Sequence, residues 1–419
     1  MGARLRMDSR IITNLTDTDF YKFTMGQFAW KYFPDMTVTY GLKNRTKGVA
    51  LTKIIDEGQL REELDHVRTL RFTNLELHYI SKIFEYGRRM FSEEFINLLQ
   101  EISLPEYFLD RDGDNFRLEF NGPWHSAIYW ETFALSIVNE LYNRALTKDM
   151  TDFQRNLVSA NGVVRLGKKI IEIKRFKDLT FSDFGTRRRY SRYHQDFIVG
   201  GLVEEFKGTK QFLGTSNVYL AHKYGVTPMG TSAHELFMIM AAIRSDSDES
   251  IRNSHNEVFS KWWELYRSGL SIALPDTFGS AFTFQTFPKV WLNEWRGFRQ
   301  DSGDPERFAQ KLINLYKKNG IDPRDKLLIF SDGLDIEKIK KLYLAFSGKI
   351  KCTFGWGTNL TNDVGFSPLS LVVKPIRANG HGLVKLSDNI AKAIGKPEDI
   401  ERYKKIFNYD ETFFEPCIY

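Results

Sequence analysis

Cysteine is nearly missing from this sequence, with only Cys352 and Cys417 in 419 residues. Two thiols so far apart encode neither a disulfide framework nor a zinc finger, and they point to a reducing, cytoplasmic setting. Long apolar runs are missing too. No stretch approaches the ~18 residues of a membrane span, and Met1 to Arg10 carries charge without the apolar segment of a secretory signal. Arg6 breaks the myristoylation pattern. There is no fixed-period repeat and no long low-complexity linker. An excess of one charge is also absent. The 59 basic and 53 acidic residues nearly cancel to +6, so a pI near 9.0 permits a polyanion partner without demanding one.

What is present suits a large folded enzyme. At 48.9 kDa, with 42% hydrophobic and 27% charged residues, the chain has ample core material. At this length folding buries roughly three quarters of the unfolded surface, and two domains are expected. Aromatics reach 14%, with 34 Phe, enough both to fill cores and to stack on flat ligands.

The first third mixes periods. Leu60, Leu64, Val67 and Leu70 recur at helical spacing, whereas Phe116, Leu118 and Phe120 alternate like a half-buried strand. Glu131 to Leu146 predicts an amphipathic helix with Phe133, Ile137, Leu141 and Ala145 on one face. The expected division is therefore an N-terminal α+β domain over residues 1–146, an α/β catalytic domain over 147–373, and a charged segment 374–419 packing back on the first. Beyond residue 146 one pattern recurs seven times: a short apolar run, a cluster of Gly, Ser, Thr, Asp or Arg, then a helical segment. The joints are Leu179 to Arg187, Phe212 to Asn217, Val226 to His234, Leu270 to Thr277, Gly297 to Asp304, Leu327 to Asp335 and Ile350 to Asn359. Repeated strand-then-helix units mean parallel strands with crossover helices. Uninterrupted runs such as Leu327-Leu328-Ile329-Phe330 bury both faces, as in a barrel or a doubly wound sheet. The polar clusters then share the strands' C-terminal rim, where a barrel keeps its chemistry.

Each cluster offers a different group. Phe354-Gly355-Trp356-Gly357-Thr358-Asn359 can bring backbone N–H groups to a phosphate, although a plain turn has the same composition. Gly162 to Lys169 resembles a Walker A loop up to its last position, where Lys169 replaces the magnesium-binding hydroxyl, and no apolar strand precedes it. Carboxylates end three strands: Asp276; Asp301 and Asp304; Asp332 and Asp335. They suit ribose hydroxyls or a hydrated Mg²⁺, and singly they also suit turns and helix caps. In Phe184-Gly185-Thr186-Arg187-Arg188-Arg189, Arg187 is the candidate bidentate partner of a substrate anion, and its neighbours suit a solvated helix start. His234 opens a helix with Glu235 beside it to orient or tune the ring. The other histidines share no metal-type spacing. Leu15 to Phe23 reads as helix capping, with Tyr21 functional only if it reaches a pocket.

In this order the motifs resemble those of the nicotinate phosphoribosyltransferases, over nearly the whole chain. The resemblance is carried by Thr16 to Gln27, Phe181 to Arg189, Gly214 to Ala221, Gly230 to Glu235, Leu274 to Gly279, Arg299 to Pro305, Phe330 to Asp335, Phe354 to Asp363 and Lys385 to Asn389. It implies an irregular (β/α) barrel of the type II phosphoribosyltransferase kind with an N-terminal α+β sandwich-like domain, in a homodimer with shared active sites. It also implies ATP-coupled formation of nicotinate mononucleotide and diphosphate from nicotinate and 5-phosphoribosyl 1-diphosphate, with Mg²⁺, in NAD salvage. Residue by residue, Tyr21 from a neighbouring subunit and Phe184 would sandwich the pyridine, Arg187 would pair with its carboxylate, and Thr215 and Ser216 would border it. His234 would be phosphorylated transiently by ATP. Asp276, Arg299, Asp301 and Asp332 would hold ribose and diphosphate, with Asp301 and Asp332 reaching the metal through water and no direct ligand assigned. Gly355, Gly357, Thr358 and Asn359 would take the 5-phosphate.

Ser216 also bears on acid against amide. The related nicotinamide enzymes carry Asp in the counterpart of Gly214-Thr215-Ser216, where an anion repels a carboxylate, so Ser216 implies nicotinate. The alternatives are a nicotinamide enzyme or a quinolinate enzyme, the latter drawing on Arg188 and Arg189 for a second carboxylate. From another class, an RNA-binding module would interleave aromatics with Lys and Arg on one surface.

Overall fold

Seven short apolar runs, each closed by turn-forming residues, become the strands of a single parallel sheet. The computed structural model of the chain describes residues 9–85 and 87–416, so Cys417 and the leader reading before Ser9 lie outside the described residues. In chain order the strands are β1 (Thr37–Asn44), a hairpin of β2 (Phe84–Glu85) and β3 (Arg88–Arg89), β4 (Tyr107–Asp112), β5 (Asn115–Pro123), β6 (Thr180–Asp183), β7 (Phe212–Thr215), β8 (Thr227–Pro228), β9 (Ile272–Ala273), β10 (Gly297–Gln300), β11 (Leu327–Phe330), β12 (Lys351–Trp356), β13 (Leu371–Ala378) and β14 (His381–Gly382). The seven predicted joints fall on β6 to β12, which pair in the order β8-β7-β6-β12-β11-β10-β9. The sheet curls into an open, irregular half-barrel. β8 and β9 stand at its two ends, and with two residues each they offer few ladder bonds for closure.

Register decides where the chemistry emerges. Gln300, Phe330 and Phe354 are cross-strand neighbours, and Trp356 lies beside Asp183, which lies beside Thr215. Asp301, Ser331 and Asp332 therefore leave the sheet at the level where Gly355 still pairs with Ser182. Crossover helices cover it. In the helix Pro305–Lys318, for example, Phe308, Leu312, Ile313 and Tyr316 are buried and Asp304 caps the first turn. Asp335 caps the helix Ile336–Phe346 in the same way, so two of the five rim carboxylates are caps.

The N-terminal layer is an antiparallel sheet in the order β14-β13-β1-β5-β4. β5 shows the predicted alternation through Phe116, Leu118 and Phe120, and Leu60, Leu64 and Val67 are the buried face of the helix Glu57–Thr69. β13 returns from the far end of the chain to pair with β1, while Phe407 of the last segment stacks on Phe278 at 4.2 Å. The helix predicted at Glu131 to Leu146 spans Trp130–Thr147, but it is not amphipathic in place: only Ala145 and Leu146 escape burial. Its polar residues have a purpose. Ser136, Asn139 and Asn143 donate to the carbonyls of Thr186, Arg187 and Tyr190, satisfying the turn that carries Arg187. One apolar core runs through both layers. Among the described residues no helix is long and apolar enough to cross a membrane.

Candidate active site

The strand ends of the half-barrel surround a cavity of about 810 Å³ whose walls include Tyr21, Phe184, Arg187, His234, Arg299, Asp301, Asp332 and the loop from Gly355 to Asn359. Residues distant in sequence thus meet in one cleft, as the strand-end positions predicted. Tyr21 arrives on the buried helix Phe20–Tyr32 of the same chain, with the Arg187 guanidinium 5.4 Å from its ring centre. Within one chain Tyr21, Phe184 and Arg187 all border this cavity, whereas the expectation of Tyr21 from a neighbouring subunit concerns an assembly of two chains. Phe184 lies over Gly355, where an added Cβ would meet its ring at 3.3 Å, so this glycine seats the aromatic. Gly185 is needed likewise, since a Cβ there would come within 2.1 Å of the Thr361 hydroxyl.

Arg187 is partly exposed to the cleft and is tethered at 3.2 Å to Asp19 and 3.5 Å to Glu131. Behind it is a buried charge cluster that sequence spacing gave no sign of. Glu131 receives Lys22 at 2.5 Å and Lys374 at 2.8 Å, and Lys22 also reaches Glu235 at 2.8 Å. Burial alone would push the Glu131 carboxyl up, but Lys22, Lys374 and Arg187 hold it well below the usual range. Burial does raise Asp19, against the pull of Arg187 and Ser216. Three cations therefore face three acids. Glu235, expected to orient His234, instead bonds Lys22 and Tyr40, because adjacent residues on a helix point in different directions. Arg189, expected in solvent, is buried with both its terminal nitrogens on Asp17 at 2.6 and 2.8 Å. Arg188 donates Nε to the Leu371 carbonyl. Arg189 is thus committed to Asp17, while Arg188 remains part of the cavity wall.

His234 begins the helix His234–Ile243 and is gripped on both nitrogens: Nδ1 lies 2.9 Å from Thr277 Oγ1, and Nε2 lies 2.9 Å from Asp301 Oδ2. Burial and the nearby Lys385 lower its pKa, so the ring is neutral near pH 7. Asp301 is also bonded by Ser331 at 2.9 Å. Burial works against its charge, but His234 and Arg299 hold the carboxyl well below its ordinary value. Asp332, expected beside a metal with Asp301, is ion-paired with Lys392 at 2.5 Å. The ligand atoms that cluster with Asp301, all within 4.8 Å, belong to His234 and Asp276. Asp276 Oδ1 is buried without a hydrogen-bond partner among the described residues, an orphan acceptor that an oxygen-seeking cation would satisfy.

Several expected residues sit behind the wall rather than in it. Thr215, Ser216 and Asp276 do not line the cavity. Thr215 donates to Asp183 at 2.7 Å, and Ser216 donates to Asp19 at 2.6 Å, so both act on the carboxylates behind the cleft. Asp276 accepts from Ser302. Gly162 to Lys169 is no loop; it lies within the helix Asp152–Lys174. In contrast, Lys385 went without a role in the sequence reading and is prominent here. It is buried yet borders the cavity, its ammonium has no ion pair among the described residues, and burial brings its pKa down to about 8 despite Asp276 and Asp301. Lys385 was marked in the sequence only as the start of the Lys385 to Asn389 stretch of the resemblance, and Lys392 only by the charge density of the last segment.

Comparison with known proteins gives one consistent family. A model of the nicotinate phosphoribosyltransferase (NAPRTase) family matches residues 179–411, and one of the NAPRTase N-terminal domain matches residues 16–139. The solved nicotinate phosphoribosyltransferase of Vibrio cholerae is 30% identical, with 98% of this chain and 96% of that one covered and a TM-score of 0.86. The enzyme of the same description from Porphyromonas gingivalis is also 30% identical, covering 95% and 100% of the two chains with a TM-score of 0.83.

Proposed function

The chain belongs to the nicotinate phosphoribosyltransferase family, and from that premise we propose how its cleft divides the work. It joins nicotinate to 5-phosphoribosyl 1-diphosphate, giving nicotinate mononucleotide and diphosphate, a step of NAD biosynthesis. The observation that carries the residue assignment is the meeting, in one cleft, of an aromatic–guanidinium face with a histidine–carboxylate pair. Tyr21 and Phe184 stack on the pyridine and Arg187 takes its carboxylate. The loop from Gly355 to Asn359 takes the 5-phosphate through backbone N–H groups and the Thr358 hydroxyl.

Departure of diphosphate builds positive charge on the sugar and negative charge on the leaving group. Arg299, Lys385 and Lys392 answer the second, and Asp332 fixes the ribose while Lys392 limits its charge. Mg²⁺ would be held by Asp276 and Asp301, whose orphan acceptor suits it, and when bound it neutralises part of the diphosphate. For ATP coupling, a neutral His234 is the nucleophile, and Asp301 holds Nε2 and stabilises the charge the ring acquires with a phosphoryl group. The scarcity of cysteine suits a reducing cytosol. Association is as a homodimer with shared active sites, in which Tyr21 of one chain completes the ring clamp of its neighbour, so specific activity should fall on dilution as the dimer dissociates.

One assay tests this reading. The protein is given 5-phosphoribosyl 1-diphosphate and Mg²⁺ with nicotinate, nicotinamide or quinolinate, with and without ATP, and products are separated by chromatography. Nicotinate mononucleotide is expected as the main product, increased by ATP. Its absence under every condition would overturn the proposal.

A further inference from the structure

The stretch Gly162 to Lys169, which mimics a phosphate loop in sequence, belongs to a helix interior, yet one face of that helix grips the loop assigned above to the 5-phosphate. Asn161 donates to the Val364 carbonyl at 2.9 Å. Gly162 lets the helix approach closely, since a Cβ there would meet His194 at 2.8 Å and Val364 at 3.1 Å. One turn on, Arg165 reaches Asp363 at 2.7 Å, and a further turn on, Lys169 reaches the other oxygen of the same carboxylate at 2.8 Å. The Lys169 ammonium also donates to the Asn359 carbonyl and lies 5.4 Å from the centre of the Trp356 ring. Trp356 ends β12 within that loop, Asn359 is its last residue, and Asp363 lies just beyond the short helix Thr358–Thr361; Asn359 and Asp363 border the cavity.

Lys169 is itself buried. A buried ammonium held this way cannot swing out to a ligand without abandoning both partners, so it is not a direct phosphate contact. It does two other things. It ties Asn359 to Asp363 across the short helix Thr358–Thr361, fixing the direction of the backbone N–H groups between them. With Arg165 it also sets two cations against one carboxylate, leaving one positive charge in excess behind a loop that must receive a dianion.

We propose that Lys169 is the positioning residue of the 5-phosphate loop, clamping Asn359 to Asp363 so that the loop is ready-made for a phosphate monoester. The inference rests on the loop assignment above, and its test separates the two. Lys169→Met should raise the KM for 5-phosphoribosyl 1-diphosphate about tenfold, the cost of losing charged hydrogen bonds that pre-order a site. Competitive inhibition by ribose 5-phosphate should weaken in parallel, with KM for nicotinate within about twofold of the parent. Lys169→Arg should recover part of the loss. A folded Lys169→Met enzyme with unchanged ribose 5-phosphate inhibition, or with both KM values raised equally, overturns the proposal. Thr358→Val and Asn359→Ala test the loop itself. If they leave that inhibition intact, the loop assignment falls; if they weaken it and Lys169→Met does not, the role of Lys169 alone falls. Should Lys169→Met not fold, Asp363→Asn removes the anchor from the solvent-facing side and must give the same split between the two KM values.

Discussion

The two ends of the cleft treat charge in opposite ways. Around the ring clamp, Arg187, Lys22 and Lys374 are matched by Asp19, Glu131 and Glu235, and every cation already has an acid within 3.5 Å. Around His234, Lys385 faces the cavity with no ion pair among the described residues, and burial depresses its pKa. The difference follows the ligands. Nicotinate brings a single charge that must be chosen over a neutral amide, so the protein keeps Arg187 partly occupied and makes the carboxylate compete for it, which favours selectivity over affinity. The phosphoribosyl donor brings several charges that grow as diphosphate leaves, and one cation, Lys385, is left without an ion pair among the described residues to meet it.

The largest effect should come from the histidine. His234→Ala should abolish ATP stimulation, a loss of about 10²–10³ in the coupled rate if the ring is the nucleophile. Acid-labile labelling of the protein by γ-labelled ATP should vanish with it, while the ATP-independent rate persists; unchanged stimulation would remove the phosphohistidine. At the other end, Arg187→Met deletes one partner of a buried charge cluster and the carboxylate's clamp. KM for nicotinate should rise about 10²-fold with little change for nicotinamide, as measured by steady-state kinetics on both bases. An equal rise for both would mean that Arg187 only supports the fold.

The two ends were not equally legible in the sequence. Strand-end residues such as Arg187, His234 and Asp301 stand out because turn chemistry is local and the seven runs punctuate themselves. The charge cluster was invisible because its pairs are remote: Lys22 meets Glu235 across 213 residues and Lys374 meets Glu131 across 243. Thr215 and Ser216 were placed on the right strand end but the wrong side of it, since they turn to Asp183 and Asp19. Gly162 to Lys169 resembled a phosphate loop in its glycine spacing but lacked the final hydroxyl and a preceding strand; in the fold the glycine serves close helix packing and Lys169 donates to the Asn359 carbonyl.

Ser216 sharpens the ring end further. It was expected to favour nicotinate by keeping an acid out of the pocket, but its hydroxyl instead holds Asp19 at 2.6 Å, beside Arg187. Ser216→Asp would set two carboxylates against one another there. The preference for nicotinate over nicotinamide, as a ratio of kcat/KM, should fall about tenfold with some loss of Tm, because one like-charge contact is worth one to a few kcal/mol at such a site. Ser216→Ala should lower the ratio less. An unchanged ratio in Ser216→Asp would show that Asp19 has no part in selecting the acid.

The smallest effect is a pH dependence, and it separates the two ends cleanly. With a pKa of about 8, the Lys385 ammonium is charged at pH 7 and is lost as pH rises through 8. Inhibition by diphosphate should therefore weaken about threefold between pH 7 and 9, the size of one modest charge contact at the cavity wall. The acid pH limb, where carboxylates protonate, should be unaffected. Stability must move the other way. The unfolded chain keeps this proton up to about 10.5, so between pH 8 and 10.5 it binds more protons than the folded chain, and the cost of burying Lys385 falls as pH rises. Lys385→Met should flatten the inhibition profile and remove that rise in stability together. KM for nicotinate, assigned above to Arg187, should stay level across the same range, and a parallel drift in it would mean that the two ends titrate as one cluster.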